Sequence, residues 1–132
     1  MEAHIVFTHA PIVVPPLARP SREVGACVEF HGIVRETEGA HTLAGLHYEA
    51  YEPMARTQLA RIFADLHAAH PCAAVHFIHR LGWVPVGEAS LYVRVLAAHR
   101  GEALRFLAGA IDRMKADVPI WKRASLPDTA AT

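Results

Sequence analysis

The alternation of side chains in "ACVEFHGIVR" (26–35) constrains the fold more than any other feature of the sequence. Successive side chains of a strand point to opposite faces of a sheet, so an alternating stretch predicts a strand with one buried face. The residues on the predicted buried face are Val28, Phe30, Gly32 and Val34. The stretch "ASLYVRVLAAH" (89–99) alternates in the same way, with one face formed by Leu91, Val93, Val95 and Ala97. Such a sheet needs a second layer to cover its buried face.

Two amphipathic stretches are predicted to supply that layer. Residues 53–69 carry apolar side chains at helical spacing, and Pro53 suits the first turn of a helix. The predicted stripe of this helix is Leu59, Ile62, Phe63 and Leu66. A second helix is predicted over Gly101–Lys115, with a stripe formed by Leu104, Leu107, Ile111 and Met114. Pro119 prevents its simple continuation, so "VPIWKR" (118–123) is predicted to be extended.

The order of these elements predicts an α+β domain with a mostly antiparallel sheet and two main helices packed on it. A first strand is expected at His4–Thr8, before an irregular Pro-rich crossing. Strands at 26–35 and 42–51 flank the polar "ETEGAH" (36–41), which predicts a hairpin between them. Two further strands, 73–80 and 89–99, flank a turn-like "GWVPVGE" (82–88). Because 132 residues is the usual size of one compact domain, we expect a single domain over residues 1–132.

Charge and composition weigh against several classes of protein. Thirteen Lys and Arg residues balance thirteen Asp and Glu residues, whereas proteins that coat nucleic acid or membranes normally carry excess positive charge. A small RNA-binding domain is an alternative that this neutrality disfavours. No apolar run approaches the roughly 20 residues that span a bilayer, and the N-terminal residues make a poor signal peptide. With only Cys27 and Cys72, no disulfide framework is expected, and a reducing cytoplasm is the expected location.

Ten histidines raise the question of a metal site. His76 and His79 are three positions apart on a predicted strand, which turns them to opposite faces. His67 and His70 share a helix face, but no third ligand is evident nearby. We therefore expect no bound metal, and no motif predicts a cofactor or a serine nucleophile.

Cations beside apolar residues are the strongest sign of a functional site. In chain order they are Arg35, His99, Arg100, Lys115 and Lys122. Any one alone is explained by solvation or by the dipole at a helix end. Ile120 and Trp121 are expected to pin the extended segment to the core, so that Lys122 points inward. Together the cations predict a local anion site, to which the N-terminus of the second helix would contribute.

Five pieces of the sequence, in order, resemble the large, catalytic subunit of molybdopterin synthase, the MoaE family. They are "GACVEFHGIVRE" (25–36), "LHYEAYEPMA" (46–55), "VHFIHRLGWVPVGE" (75–88), "VLAAHRGEA" (95–103) and "MKADVPIWKR" (114–123). They follow the patterns F-x-G-x-V-R, Y-E-x-Y-x-x-M, H-R-x-G-x-x-x-x-G-E, A-H-R and K-x-x-x-P-x-W-K-R. Because the pieces are correctly spaced over most of the chain, the resemblance is specific.

The resemblance implies a sulfurtransferase of molybdenum cofactor biosynthesis with an α/β hammerhead-type fold. Such enzymes convert cyclic pyranopterin monophosphate (precursor Z) to the dithiolene molybdopterin. The sulfur arrives as a thiocarboxylate at the C-terminus of a small ubiquitin-like subunit (MoaD-like), whose tail inserts into the large subunit. The family forms homodimers of the large subunit with a small subunit at each end, a heterotetramer. An alternative interpretation is a non-catalytic docking module for a ubiquitin-like sulfur-carrier protein.

The resemblance assigns catalytic roles to two lysines, Lys115 at the incoming tail and Lys122 close to the substrate. Both reactants are anions, so clustered cations would reduce their mutual repulsion. A lysine acting as a base at neutral pH needs its pKa lowered by about three units, whereas a charged anchor needs no shift. We therefore expect the lysines to act by charge. Histidine suits proton transfer better, and His99 is the candidate.

Four further residues match the family's substrate pocket. Arg35, His99 and Arg100 match the residues that hold the phosphate or the pterin, and Phe30 matches an apolar residue. After "WKRASLP" (121–127) the family usually continues with a further basic segment that covers the pocket, whereas here "PDTAAT" (127–132) follows. The resemblance leaves three consequences open: a more open pocket, a substitute element, or lower activity.

Overall fold

Nine strands and two helices form in residues 1–125, which the computed structural model describes. The strands are β1 (Glu2–Thr8), β2 (Ala26–Ile33), β3 (Thr37–Glu38), β4 (His41–Thr42), β5 (Gly45–Ala50), β6 (Ala74–Arg80), β7 (Gly82–Pro85), β8 (Ala89–Ala97) and β9 (Ile120–Ser125). The helices are α1 (Glu52–Ala69) and α2 (Arg100–Asp117). The "PDTAAT" segment (127–132), for which a difference from the family was predicted, lies outside the described residues.

A four-stranded sheet in the order β1-β6-β8-β2 forms the larger layer. β1 pairs with β6 in parallel, and the other two pairs are antiparallel, so the mostly antiparallel prediction is confirmed. Burial alternates along the whole of β2, as the sequence pattern predicted. The predicted face of β8 is buried against the helices, and its residues are Leu91, Val93, Val95 and Ala97.

The predicted hairpin between the strands at 26–35 and 42–51 is wrong. β2 pairs with β8, with Phe30 opposite Val93, whereas β5 lies in a separate three-stranded sheet in the order β7-β5-β9. The segment between them forms its own small hairpin, β3–β4, which carries the chain from one sheet to the other. The turn-like 82–88 contains β7, which pairs with β5. Alternation predicts that a strand buries one face, but it carries no information on which strand lies beside it.

The two helices cover one face of the four-stranded sheet. The predicted stripe of α1 is confirmed, since all four of its residues are buried. The stripe predicted for α2 is confirmed only in part. Met114 is buried and Leu107 packs against the core, but Leu104 is 54% exposed, and the other buried residues are Ala103, Phe106 and Ala110. Two neighbouring stripes of α2 satisfy helical spacing, and α1 approaches the one with small side chains. At Gly109 an added Cβ would lie 2.7 Å from Cδ2 of Leu66, so a larger residue here would require the end of the Leu66 side chain to shift.

Pro119 separates α2 from β9, as predicted. The backbone of Val118 is extended, and the carbonyl of Pro119 accepts a hydrogen bond of 3.1 Å from the amide of Tyr51. β9 then runs antiparallel to β5, with Lys122 opposite Tyr48. This connection returns the chain from the helical layer to the three-stranded sheet.

No helix in the described part of the chain is both long and apolar enough to cross a membrane.

Candidate anion-binding site

A cavity of about 600 Å³ lies where the two sheets meet beside the C-terminal end of α2. Four of the six residues predicted for the site line it, and they are Phe30, Arg35, Lys115 and Lys122. They come from β2 and the residues after it, from the last turn of α2, and from β9. Residues from distant parts of the sequence therefore converge on one concave surface.

The three cations of the cavity keep contact with solvent. Arg35, Lys115 and Lys122 are all exposed side chains, so their charges cost little desolvation energy. The apolar walls come from buried residues of both sheets, including Leu46 and Leu91. The cavity thus combines apolar surface with a positively charged opening, which suits a ligand that is part flat ring and part anion.

Ile120 and Lys122 reach the cavity because side chains alternate along β9. Ile120 packs against the main hydrophobic core, as expected. The expectation that Trp121 also anchors this segment is wrong, since 49% of its surface is exposed. Strand alternation turns the Trp121 side chain to the face opposite Ile120 and Lys122, although the residue still borders the cavity. One apolar anchor, rather than two, directs the lysine inward.

Glu38 forms an ion pair with Lys122 inside the cavity. Its Oε1 lies 2.9 Å from Nζ of Lys122, and the two side chains are 41% and 48% exposed. Glu38 belongs to β3 in the small hairpin that borders the cavity. An anionic ligand that binds Lys122 must compete with this carboxylate.

His99 and Arg100 do not line the cavity of their own chain. His99 precedes the first residue of α2, and 79% of its side chain is exposed. Its Nδ1 lies 3.6 Å from a carboxylate oxygen of Glu102 in the first helical turn. The positive end of the helix dipole is therefore already next to an acidic side chain. Within one chain, His99 and Arg100 do not lie with the other four residues predicted for the site.

His79 lines the cavity but was considered in the sequence only as a metal ligand. It is 3% exposed, and its Nδ1 lies 2.8 Å from the carbonyl oxygen of Arg80. Burial lowers its pKa from the usual value, against a smaller opposite effect of that hydrogen bond. The Tyr48 ring contacts it edge-on, with 5.0 Å between ring centroids. Tyr48 and Ser90 also line the cavity and were missed: Tyr48 begins the Y-E-x-Y-x-x-M pattern but was given no role, and an isolated Ser carries no spacing signal.

The other residues of the H-R-x-G-x-x-x-x-G-E pattern, which begins at His79, have structural roles. Nη1 of the buried Arg80 lies 2.7 Å from Oε1 of Glu88. Gly82 and Gly87 have φ angles of 80° and 89°, which favour glycine, and they turn the chain into and out of β7. The ion pair and the two turns together hold β7 beside β5.

A second polar cluster lies on the other face of the four-stranded sheet. Arg94 is 3% exposed, and its Nη2 donates a hydrogen bond of 2.7 Å to the carbonyl of Pro15. Tyr92 donates a hydrogen bond to Glu29, which is the main cause of the lowered pKa of that carboxyl. The cluster fastens the Pro-rich crossing to the sheet. Within residues 1–125 no three His, Cys, Asp or Glu side chains are grouped closely enough to hold a metal ion.

The fold and the cavity define the class: an α+β protein with a local, cation-lined site in a chain of zero net charge. Residues 7–117 match the family model described as MoaE protein, and the chain belongs to this MoaE family. The sequence is 42% identical to the molybdopterin synthase catalytic subunit of Oryza sativa subsp. indica, over 79% of this chain and 54% of that protein.

Solved structures agree with this assignment. The structure is similar to molybdopterin synthase from Staphylococcus aureus, with a TM-score of 0.81, 31% identity, and coverage of 92% of this chain and 90% of that one. It is also similar to a chain in the complex of subunits 1 and 2 of the molybdopterin-converting factor from Helicobacter pylori. That match has a TM-score of 0.66 and 26% identity, and covers 78% of this chain and 67% of the other. The α+β fold prediction is confirmed. The chain spans about half the length of the first curated relatives it matches.

Proposed function

We propose that this chain is the catalytic subunit of a molybdopterin synthase. In this role it converts cyclic pyranopterin monophosphate to molybdopterin, with sulfur from the thiocarboxylated C-terminus of a small ubiquitin-like subunit. The observation that carries the proposal is the cavity that gathers Arg35, Lys115 and Lys122 around apolar walls. Membership of the MoaE family and the names of the relatives support the same activity.

The chemistry of the two reactants explains the composition of the cavity. The substrate is a flat pterin with a cyclic phosphate, and the sulfur donor is a second anion. Lys115 and Lys122 reduce the repulsion between them by charge, and Arg35 holds the phosphate. Phe30 and its apolar neighbours contact the ring system. A volume of about 600 Å³ lies within the range of small-molecule sites, about 300–1,000 Å³.

We propose that the chain forms a homodimer, which would give a role to the two remaining predicted residues, His99 and Arg100. His99 and Arg100 lie outside the cavity of their own chain but are exposed at the start of α2. In a symmetric dimer, each chain contributes these side chains to the cavity of the other. The small ubiquitin-like subunit completes the heterotetramer, and the Helicobacter pylori complex of two subunits supports such a partner. The cytoplasm as location and a single domain over residues 1–132 belong to this proposal.

Reconstitution tests the proposed activity. The purified chain is mixed with precursor Z and with the small subunit carrying either a thiocarboxylate or an ordinary carboxylate, and oxidised molybdopterin is measured by fluorescence. We expect product only with the thiocarboxylate. Tight binding of the small subunit without any product would instead favour the docking-module interpretation. A docking module alone does not explain why cations line the cavity.

A further inference from the structure

We propose that His79 is a specificity-determining residue, whose Nε2 accepts a hydrogen bond from an N–H group of the bound pterin. This inference rests on the proposed function and assigns the cavity two ends of different chemistry. The cations bind the phosphate and the thiocarboxylate, and His79 recognises the heterocycle.

The hydrogen bond at Nδ1 determines which ring nitrogen faces the ligand. Nδ1 donates to the carbonyl oxygen of Arg80 at 2.8 Å, because a carbonyl can only accept. In the neutral ring the proton is then on Nδ1, and Nε2 is an acceptor. Since Nδ1 is held at the backbone of β6, Nε2 is the ring nitrogen that remains available to a ligand in the cavity that His79 lines.

The surroundings of His79 keep it neutral. In residues 1–125 no carboxylate lies within ion-pair distance of this ring, and the one acidic side chain of the cavity, Glu38, is paired with Lys122. Burial disfavours the charged imidazole more than the hydrogen bond to Arg80 favours it, so the pKa of His79 is lowered. Tyr48, which contacts the ring edge-on from β5, offers no carboxylate to pair with it.

A neutral hydrogen-bond acceptor such as Nε2 distinguishes the parts of a ligand that donate hydrogen bonds from its anionic parts. Its lone pair repels phosphate and carboxylate oxygens, whereas the ring N–H and amino groups of a reduced pterin are hydrogen-bond donors. His79 therefore orients the heterocycle away from the cationic opening. A buried acceptor also disfavours ligands that present no donor, because its lone pair would remain unpaired.

Two substitutions separate this role from a structural one. In His79→Asn, the amide N–H can replace Nδ1–H toward Arg80, but nothing replaces Nε2. In His79→Gln, the longer amide can place its oxygen near the position of Nε2. His47→Asn is the matched control, because His47 lies on β5 outside the cavity lining.

Binding of precursor Z is measured by calorimetry, and turnover is measured in the reconstituted complex. We expect His79→Asn to weaken binding about tenfold, the usual effect of one lost hydrogen bond with its donor left unpaired. KM should rise about as much, kcat should change far less, and His79→Gln should recover part of the affinity. The thermal midpoint of His79→Asn should stay near that of the wild type. His47→Asn should bind like the wild type.

Four outcomes would overturn the role of His79. They are unchanged affinity in His79→Asn, a loss confined to kcat, equal loss in the His47→Asn control, and a fall in thermal stability without a change in KM. Failure of the wild-type chain to bind precursor Z would instead refute the proposed function. If His79→Asn does not fold, ¹⁵N NMR of histidine-labelled wild type decides, with the His79 signals identified in His79→Gln. Precursor Z should shift the Nε2 signal toward the protonated position and leave Nδ1 unchanged, and an unmoved Nε2 signal would refute the proposal.

Discussion

Replacing Glu38 by Gln should strengthen anion binding in the cavity. Most substitutions in a binding site weaken it, so the sign of this effect is diagnostic. Oε1 of Glu38 lies 2.9 Å from Nζ of Lys122. A phosphate or thiocarboxylate must displace that carboxylate before it can use the same lysine. Glutamine has nearly the same shape but no charge, so the competing ion pair is removed and the hairpin is retained.

The expected magnitude follows from the exposure of the pair. With 41% and 48% of the side chains exposed, the pair belongs with solvent-accessible ion pairs, which contribute about 0.2–1 kcal/mol. A unit negative charge about 6 Å from the ligand's own charge adds repulsion of about 0.7 kcal/mol in a water-like dielectric. Removing both effects should improve the dissociation constant by about five- to twentyfold. The gain should shrink at high salt, because exposed charges are screened.

Calorimetric titration with precursor Z, and separately with inorganic phosphate, measures the effect. Glu49→Gln is the matched control: Oε1 of Glu49 lies 3.1 Å from Nη2 of Arg123, and neither residue lines the cavity. Both variants gain one unit of net charge, so only a local effect distinguishes them. Weaker binding in Glu38→Gln would show that the carboxylate positions Lys122 or contacts the ligand. Equal gains in both variants would show that net charge alone is responsible.

Three further predictions concern the lysines, the dimer and the pH dependence of stability. Lys122→Arg should retain most of the activity in the reconstitution assay and Lys122→Ala should lose it, whereas an inactive Arg variant would indicate proton transfer or strict geometry instead of charge. When Lys122→Ala and Arg100→Ala chains are mixed and allowed to exchange, activity should recover to about one quarter of the wild-type value. Half of the dimers are then hybrids, and each hybrid has one complete site out of two. No recovery would place the whole site within one chain. Burial lowers the pKa of both His79 and His76 below the usual 6.5, so below that pH the unfolded chain binds more protons than the folded chain. The free energy of unfolding should therefore fall as the pH drops below about 6.5 and level off below the folded-state pKa values. Denaturant titrations between pH 7.5 and 5 should show a shallower decrease for His79→Asn, and an identical slope would contradict the assignment of this proton to His79.

Much of the site was accessible from sequence because cations beside apolar residues matched family motifs. Of the six predicted residues, four line one cavity, although Arg35 and Lys122 are far apart in the chain. In the sequence, His79 was considered as a metal ligand and set aside, because strand alternation turns it and His76 to opposite faces. The structure has this arrangement, since His79 faces the core. Its role in the cavity depends on β5 and β9, whose positions are not encoded in the spacing of histidines.

The tertiary errors share one cause, which is that local patterns are degenerate. Helical spacing in α2 fits a stripe through Leu107 as well as one through Phe106, and contact with α1 selects the second. The pair of alternating strands at 26–35 and 42–51 looks like a hairpin, but β8 is the partner of β2. In both cases the sequence predicts an amphipathic element, and the competition among neighbours for its apolar face decides where it packs.

By itself, the sequence determined the type of nearly every long element, the break at Pro119, the absence of excess charge and the set of cations. These follow from local spacing and from the backbone limits of proline, which act within a few residues. Only the tertiary structure decided that the strands divide into two larger sheets and a small hairpin, that Glu38 is paired with Lys122, and that His99 and Arg100 lie apart from the cavity of their own chain. Those relations depend on contacts between residues distant in the chain, which alternation and helical spacing cannot specify.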